Sequence, residues 1–293
     1  MFKVNANEIS LLKNLLVSRT DVKHLQTTNP YEVFRIEYED CLIVGYTTGK
    51  IVANKENARK LIAEILPKLS AVATKPITIG SDEAGKGEWL GPIVVAAVAV
   101  KPERYYQLQA QGVMDSKELA LPRIRELASF IRDSHYLRNH VIITPRRFNE
   151  LYAELKDEKK TLNDLLAWGH SKAIEDLLKS VQKGNEKIRI LIDEFDRIKT
   201  EKHLHRVLSM SNVEVIQYPK AEENMAVAAA SIIARDMRED YIDLLCKKLG
   251  KDLRTITVEN AILDEKADEY AKISYLKKLA ERKNSNVTLK NIN

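Results

Sequence analysis

Apolar positions along the chain follow two periodicities. Short, β-branched runs at 77–81, 93–100, 187–193 and 213–218 predict strands, with a further strand over 135–144, and the unbroken 93–100 run predicts one buried on both faces. Between and after them, helical spacing predicts a helix entered near Ser116 as its N-cap, with Pro122 in its first turns, and a long helical region over 145–182. Two more helices are predicted over 200–209 and 224–249. Three strands followed by helix–strand alternation predict an α/β domain: a mixed sheet with helices on both faces.

The first part of the chain reads differently. A strand at Phe2-Lys3-Val4 and a helix patterned on Ile9, Leu12, Leu15 and Leu16 precede alternating strands at 33–38, 41–46 and 50–53, the last two joined through Thr47-Thr48-Gly49. A helix over 56–69 closes a small α+β module with a curved antiparallel sheet, either a docking surface or a structural appendage. Residues 71–76 read as its linker, which divides the chain into 1–72 and 73–293. Past Gly250 the pattern loosens into one or two basic amphipathic helices over 258–283 and a frayed tail over 284–293.

Composition narrows the class. The 293 residues are 44% hydrophobic and 30% charged, ordinary for a globular protein. No apolar stretch is long enough to cross a membrane, and the start has no apolar signal core, so a cytoplasmic protein is expected. Cys41 and Cys246 form neither a disulfide framework nor a zinc pattern. The net charge of +5 is unevenly spread: +3 over 1–75, −2 in the middle and +4 over 247–293. Basic flanks around a mildly acidic centre fit an enzyme that grips phosphates while its carboxylates hold metal, and fit solvated lysine-rich helices equally.

The candidate chemistry lies where strands end. Asp82 and Glu83 close the first strand of the larger unit, and Gly85-Lys86-Gly87 follows, a loop that lets a ligand approach backbone closely. By itself an Asp-Glu pair beside glycine reads as a solvated turn. Flanked by two buried strands, it reads as carboxylates at the lip of a sheet, where a bound cation compensates their cost. Asp193 ends the fourth strand, though it also reads as a helix cap, and Glu222 or Glu223 follows the fifth. Oxygen ligands without His or Cys suit Mg²⁺ or Mn²⁺, and two such ions about 3.5–4 Å apart can activate water and stabilise a leaving oxygen. His170 reads as a core histidine, Trp168 and Trp89 as packing residues, and Lys277, Lys278 and Lys283 as a solvated face.

Five motifs in order resemble the type 2 ribonucleases H, and among them ribonuclease HIII. They are Gly80-Ser81-Asp82-Glu83-Ala84-Gly85-Lys86-Gly87 running on to Gly91-Pro92, Asp115-Ser116-Lys117, Asn163-Asp164-Leu165-Leu166-Ala167-Trp168-Gly169-His170, Leu191-Ile192-Asp193-Glu194-Phe195, and Lys220-Ala221-Glu222 through to Ala234-Arg235. The N-terminal module, with Tyr46-Thr47-Thr48-Gly49-Lys50 at its hairpin, looks like a TATA-binding-protein-like substrate-binding domain. The resemblance implies an RNase H-like fold and metal-dependent cleavage of the RNA strand of RNA/DNA hybrids, leaving 5′-phosphate and 3′-hydroxyl ends. It further implies Asp82, Glu83, Asp193 and Glu222 as catalytic metal ligands, with Glu223 competing for the fourth place. Gly85, Lys86 and Gly87 would read RNA 2′-hydroxyls, and Ser116 and Lys117 would hold the substrate backbone. A monomer acting on nucleic acid is expected. Two other readings stay open: a ribonuclease HII-like preference for single ribonucleotides in duplex DNA, which Lys86 and the N-terminal module disfavour, and a hybrid-binding protein without activity. The chain departs from the family after Arg235, where the usual Lys-Gly loop is missing and Lys251-Asp252-Leu253-Arg254 either replaces it or belongs to a rebuilt segment.

Overall fold

The computed structural model describes residues 1–69, 76–181, 186–193, 212–218, 221 and 224–290, with backbone only for Asp193, Gln217, Tyr218 and 282–290. The N-terminal module contains β1 (Phe2–Lys3), α1 (Ala6–Val17), β2 (Lys23–His24), β3 (Glu32–Tyr38), β4 (Cys41–Tyr46), β5 (Lys50–Ala53) and α2 (Glu56–Leu69). Its antiparallel sheet has the order β1-β5-β4-β3-β2. Asn5 and Glu8 form a reciprocal capping box that starts α1. Gly49, at φ +79°, closes the turn between β4 and β5 with an N–H to Tyr46 O bond of 2.9 Å. The two-residue β2 has both residues exposed and so carries no apolar pattern.

The larger unit begins with β6 (Ile77–Ala84) and β7 (Ile93–Val100), followed by α3 (Tyr105–Gln111), α4 (Leu121–Asp133), β8 (Arg138–Ile143), α5 (Pro145–Asp157) and α6 (Leu162–Val181). It continues through β9 (Ile188–Asp193), β10 (Val213–Tyr218) and α7 (Met225–Leu249). Its sheet has the order β10-β9-β6-β7-β8, with β10, β9 and β6 parallel and β7 and β8 antiparallel to their neighbours. All eight residues of β7 are buried, as its unbroken apolar run requires. Helix α6 packs on one face through Ala173, Ile174, Leu177 and Leu178, and α4 and α7 cover the other.

Several expectations need correction. The strand expected over 135–144 is shorter, Arg138–Ile143, because His135 takes φ +55° in the turn before it. The first strand does not stop at Ser81 but runs to Ala84, because β7 pairs with it as far as Ala84↔Val94. Ser116 is not an N-cap: Asp115 caps the short 3₁₀ turn Ser116–Glu118, and Ser116 is buried. The long helical region is two helices, since Lys159 takes φ +55° and Thr161 bonds Asp164 to start α6 anew. Trp168 is 43% exposed rather than packed. The helix expected over 200–209 and the linker over 71–75 lie outside the described residues.

Beyond α7 the chain forms α8 (Val258–Ile262), α9 (Ala267–Tyr270) and α10 (Ile273–Lys290), so backbone expected to fray past 284 is helical to Lys290. Leu253, Ala261, Ala267, Tyr270, Ala271 and Leu276 bury a small core of their own with Leu245 of α7. The two units are not separately packed: Tyr106 and Ala110 of α3 sit in the N-terminal core against α2. Among the described residues no helix is long and apolar enough to cross a membrane.

Candidate active site

Strand alternation divides the motif that opens the larger unit between two faces. Gly80 and Asp82 face α7. A Cβ on Gly80 would lie 2.1 Å from the backbone of Ala226 and Val227, so glycine is what lets the start of α7 cross the strand. Asn224 caps that helix by accepting from Ala226 N at 2.9 Å. Ser81 and Glu83 face α6, where His170, 1% exposed, places Nδ1 2.8 Å from Ser81 Oγ and Nε2 3.1 Å from Glu83 Oε2. Ser81 Oγ also lies 2.9 Å from the Ala96 carbonyl. On its other oxygen Glu83 meets Lys86 Nζ at 3.4 Å.

Asp82 is 7% exposed and accepts from Glu83 N at 2.8 Å. Burial, then the Glu83 charge, push its carboxyl well above the usual range, against the Glu83 N–H, the Lys117 charge and the Ser231 hydroxyl. Burial also works against the Glu83 charge, but the His170 bond and charge, with Lys86, outweigh it and hold that carboxyl below the usual range. A buried carboxylate pair that repels itself, with oxygen donors at a sheet edge, is the donor set a divalent cation suits.

The register Ser81↔Ile192 between parallel strands brings Asp193 in line beside Asp82 at the same sheet edge, though its side chain lies outside the described residues. Glu222 and Glu223 lie outside them as well, between the buried Ala221 and the cap Asn224. Among the described residues, no group of three or more His, Cys, Asp or Glu forms a metal site.

Asp115-Ser116-Lys117 reaches this site through α7. Ser231 Oγ lies 2.5 Å from Ser116 Oγ and 3.3 Å from Asp115 Oδ1, and Ser116 N bonds it at 3.2 Å. Asp115 in turn accepts from Lys117 N at 3.1 Å. Sequence reasoning gave Ser231 no role, and its one signal was a hydroxyl among the small apolar residues of Ala226–Ala234.

Gly85, Lys86 and Gly87 form a loop hinged by positive φ at Gly85 (+86°) and Gly91 (+77°). A Cβ on Gly85 would meet Pro92 O at 2.3 Å, whereas one on Gly87 would meet nothing within 4 Å, leaving that backbone open. After α7 the chain carries Lys251-Asp252-Leu253-Arg254 on a turn that leads into the C-terminal helices. Lys251 pairs with Asp264, and Arg254 with Asp243 at 2.7 Å and Glu239 at 2.8 Å, so both cations are engaged within the chain.

The family described as Ribonuclease HII matches residues 79–272. The ribonuclease HIII of Protochlamydia amoebophila is 34% identical over 258 residues, covering 84% of this chain and 82% of that one. That of Chlamydia caviae is 32% identical over 238 residues, covering 77% and 76%. In fold the chain is similar to Bst-RNase HIII, crystallised in complex with Mn²⁺, at a TM-score of 0.60 with 23% identity over 96% of this chain and 98% of that one. Aquifex aeolicus RNase H3 is similar at a TM-score of 0.54 with 22% identity, covering 93% and 98%. With its motifs on the strands and helices that bring them together, the chain belongs to the type 2 ribonucleases H, in the ribonuclease HIII family.

Proposed function

We propose that this ribonuclease H cuts the RNA strand of RNA/DNA hybrids with Mg²⁺ or Mn²⁺, leaving 5′-phosphate and 3′-hydroxyl ends. The observation that carries the reading is Asp82, its carboxyl raised first by burial and then by the neighbouring Glu83, at the edge where parallel β6 and β9 end. Asp82, Glu83, Asp193 and Glu222, with Glu223 competing for the last place, would hold the metal. When bound, divalent ions would activate water and stabilise the charge of the leaving oxygen.

The chain's own residues do the rest. His170 and Lys86 fix the two oxygens of Glu83, and Ser231, whose hydroxyl works to lower the Asp82 carboxyl, bonds Ser116 and Asp115. The open backbone at Gly87, with Gly85 and Lys86, contacts the 2′-hydroxyls by which RNA differs from DNA. Ser116 and Lys117 position the substrate backbone. Residues 1–72 act as the substrate-binding module and 73–293 as the catalytic unit, in a cytoplasmic monomer whose free Cys41 and Cys246 suit a reducing compartment.

Cleavage of an end-labelled RNA/DNA hybrid in Mg²⁺ and in Mn²⁺, beside a DNA duplex carrying one ribonucleotide, tests this. Efficient hybrid cleavage that Asp82→Asn abolishes supports it. Cleavage confined to the single ribonucleotide turns the assignment toward a ribonuclease HII-like preference, and full activity of Asp82→Asn refutes the metal site.

A further inference from the structure

The Gly85–Gly91 loop makes one backbone bond within itself, Glu88 N to Gly85 O at 3.3 Å. Beyond the Lys86 pair with Glu83, anchors come from two distant elements. From α7, the buried guanidinium of Arg238 donates to Leu90 O at 2.9 Å and to Glu88 Oε2 at 2.6 Å, and underlies Gly85. From the C-terminal segment, Gly91 N donates to Tyr270 O at 2.8 Å and Lys272 N to Trp89 O at 2.7 Å. Lys272 Nζ donates to Gly91 O at 2.6 Å.

Lys272 is 0% exposed. Gly91 O is the one partner the ammonium bonds among the described contacts, with the Phe148 ring 5.9 Å away. Burying an ammonium with one hydrogen bond is costly, and a methionine of similar length would fill the space at less cost. The segment around Lys272 is braced in turn. Asn149 of α5 donates to Ala271 O at 3.0 Å and accepts from Ile273 N at 2.9 Å, while Tyr270 OH donates to Asp264 at 2.7 Å. Trp89 and Leu90 pack into the same C-terminal core.

We propose that the C-terminal segment is the buttress of the RNA-contacting loop and that Lys272 is a positioning residue for it, setting the height of the 85–91 backbone through the Gly91 carbonyl. The role rests on the reading of Gly85, Lys86 and Gly87 as the elements that contact RNA. It predicts a defect selective for RNA-containing substrates.

The test is equilibrium binding, with EDTA present so that cleavage plays no part, of labelled RNA/DNA hybrid and of DNA duplex of the same sequence. Lys272→Met is expected to weaken hybrid binding about tenfold, the worth of one or two hydrogen bonds, and to leave duplex DNA binding unchanged. Should that variant not melt cooperatively, Asn149→Ala, which releases the same turn from α5, carries the comparison and is expected to shift hybrid binding in the same direction. Unchanged hybrid affinity, or an equal fall for both duplexes, overturns the buttress. A wild-type protein with no preference for hybrid over DNA duplex overturns the loop's role itself, a failure seen before any variant is made.

Discussion

His170 Nε2 sits 3.1 Å from Glu83 Oε2 while its Nδ1 sits 2.8 Å from Ser81 Oγ, so one buried ring ties together two side chains on the same face of β6. The ring leaves the second Glu83 oxygen toward Lys86 and the loop. Partners that orient a metal-binding carboxylate typically contribute about 10–100-fold in metal affinity or activity. His170→Ala is therefore expected to weaken Mn²⁺ binding by about 10-fold or more, read as the loss of Mn²⁺-induced thermal stabilisation. It should also cost about 1–3 kcal/mol of stability, because Ser81 and Glu83 each lose a buried partner while keeping the Ala96 carbonyl and Lys86. A variant stabilised by Mn²⁺ as well as the wild type would show that the ring only fills space.

The sequence held part of this relationship and hid the rest. Asp82 and Glu83 were legible because two β-branched runs frame them, and β10 and α2 have the bounds that their apolar patterns predict. His170 looked like a core histidine, and it is buried and satisfied, but its partners lie 89 and 87 positions away in the chain. Arg238 and Glu88 are 150 apart and Lys272 and Gly91 are 181 apart. Such pairs follow from how the layers cross, and periodicity along one element carries no trace of that. The end of β6 escapes sequence patterns for a related reason: it extends to Ala84 because its neighbour β7 pairs there, which no local propensity encodes.

Gly80 is the point at which β6 and α7 come closest. In Gly80→Ala the new methyl would stand 2.1 Å from Ala226 C and Val227 N, both backbone atoms that cannot rotate away. The helix start must then move off the strand, at a cost of about 3 kcal/mol or more, the upper part of the range for overpacked cores. The same displacement separates Asp82 from Ser231 and from the chain leading into α7. Thermal melting and hybrid cleavage should fall together, and a variant that melts like the wild type would mean the layers are softer than their contact implies.

Asp82 offers a pH test of the site without metal. Because burial and Glu83 hold its carboxyl above the usual range, the folded state keeps a proton that the unfolded chain has released, and stability falls as pH rises through that window. In EDTA, Asp82→Asn should therefore melt above the wild type at neutral pH, with the gap closing as pH falls below about 4 and the unfolded carboxyl takes up its proton as well. Cleavage should fall by about 10³-fold or more, since metal-ion charge stabilisation is worth several kcal/mol and each tenfold is about 1.4 kcal/mol. Equal melting at both pH values would contradict the strain assigned to the pair.

Lys272 gives the opposite kind of titration. Burial first, then the nearby Arg238, push its ammonium down from 10.5 to about 7, with Glu88 acting the other way. Around it stand the Gly91 carbonyl, the Phe148 ring of α5 and the Arg238 and Glu88 charges. Below about pH 7 both folded and unfolded chains carry the proton, and the burial penalty is fully present. Between about 7 and 10.5 the folded protein has released the proton while the unfolded chain still holds it, so the penalty shrinks as pH rises. Lys272→Met removes the titrating group and also the donor to Gly91 O, whose loss costs a roughly pH-independent 1–3 kcal/mol. The melting temperature of the variant minus that of the wild type should thus be greater at pH of about 6 than at about 9, by about 2–4 °C for each kcal/mol of relieved penalty. A difference that does not change with pH would place the ammonium in contact with water, and the loop would lose the buried cation that holds it.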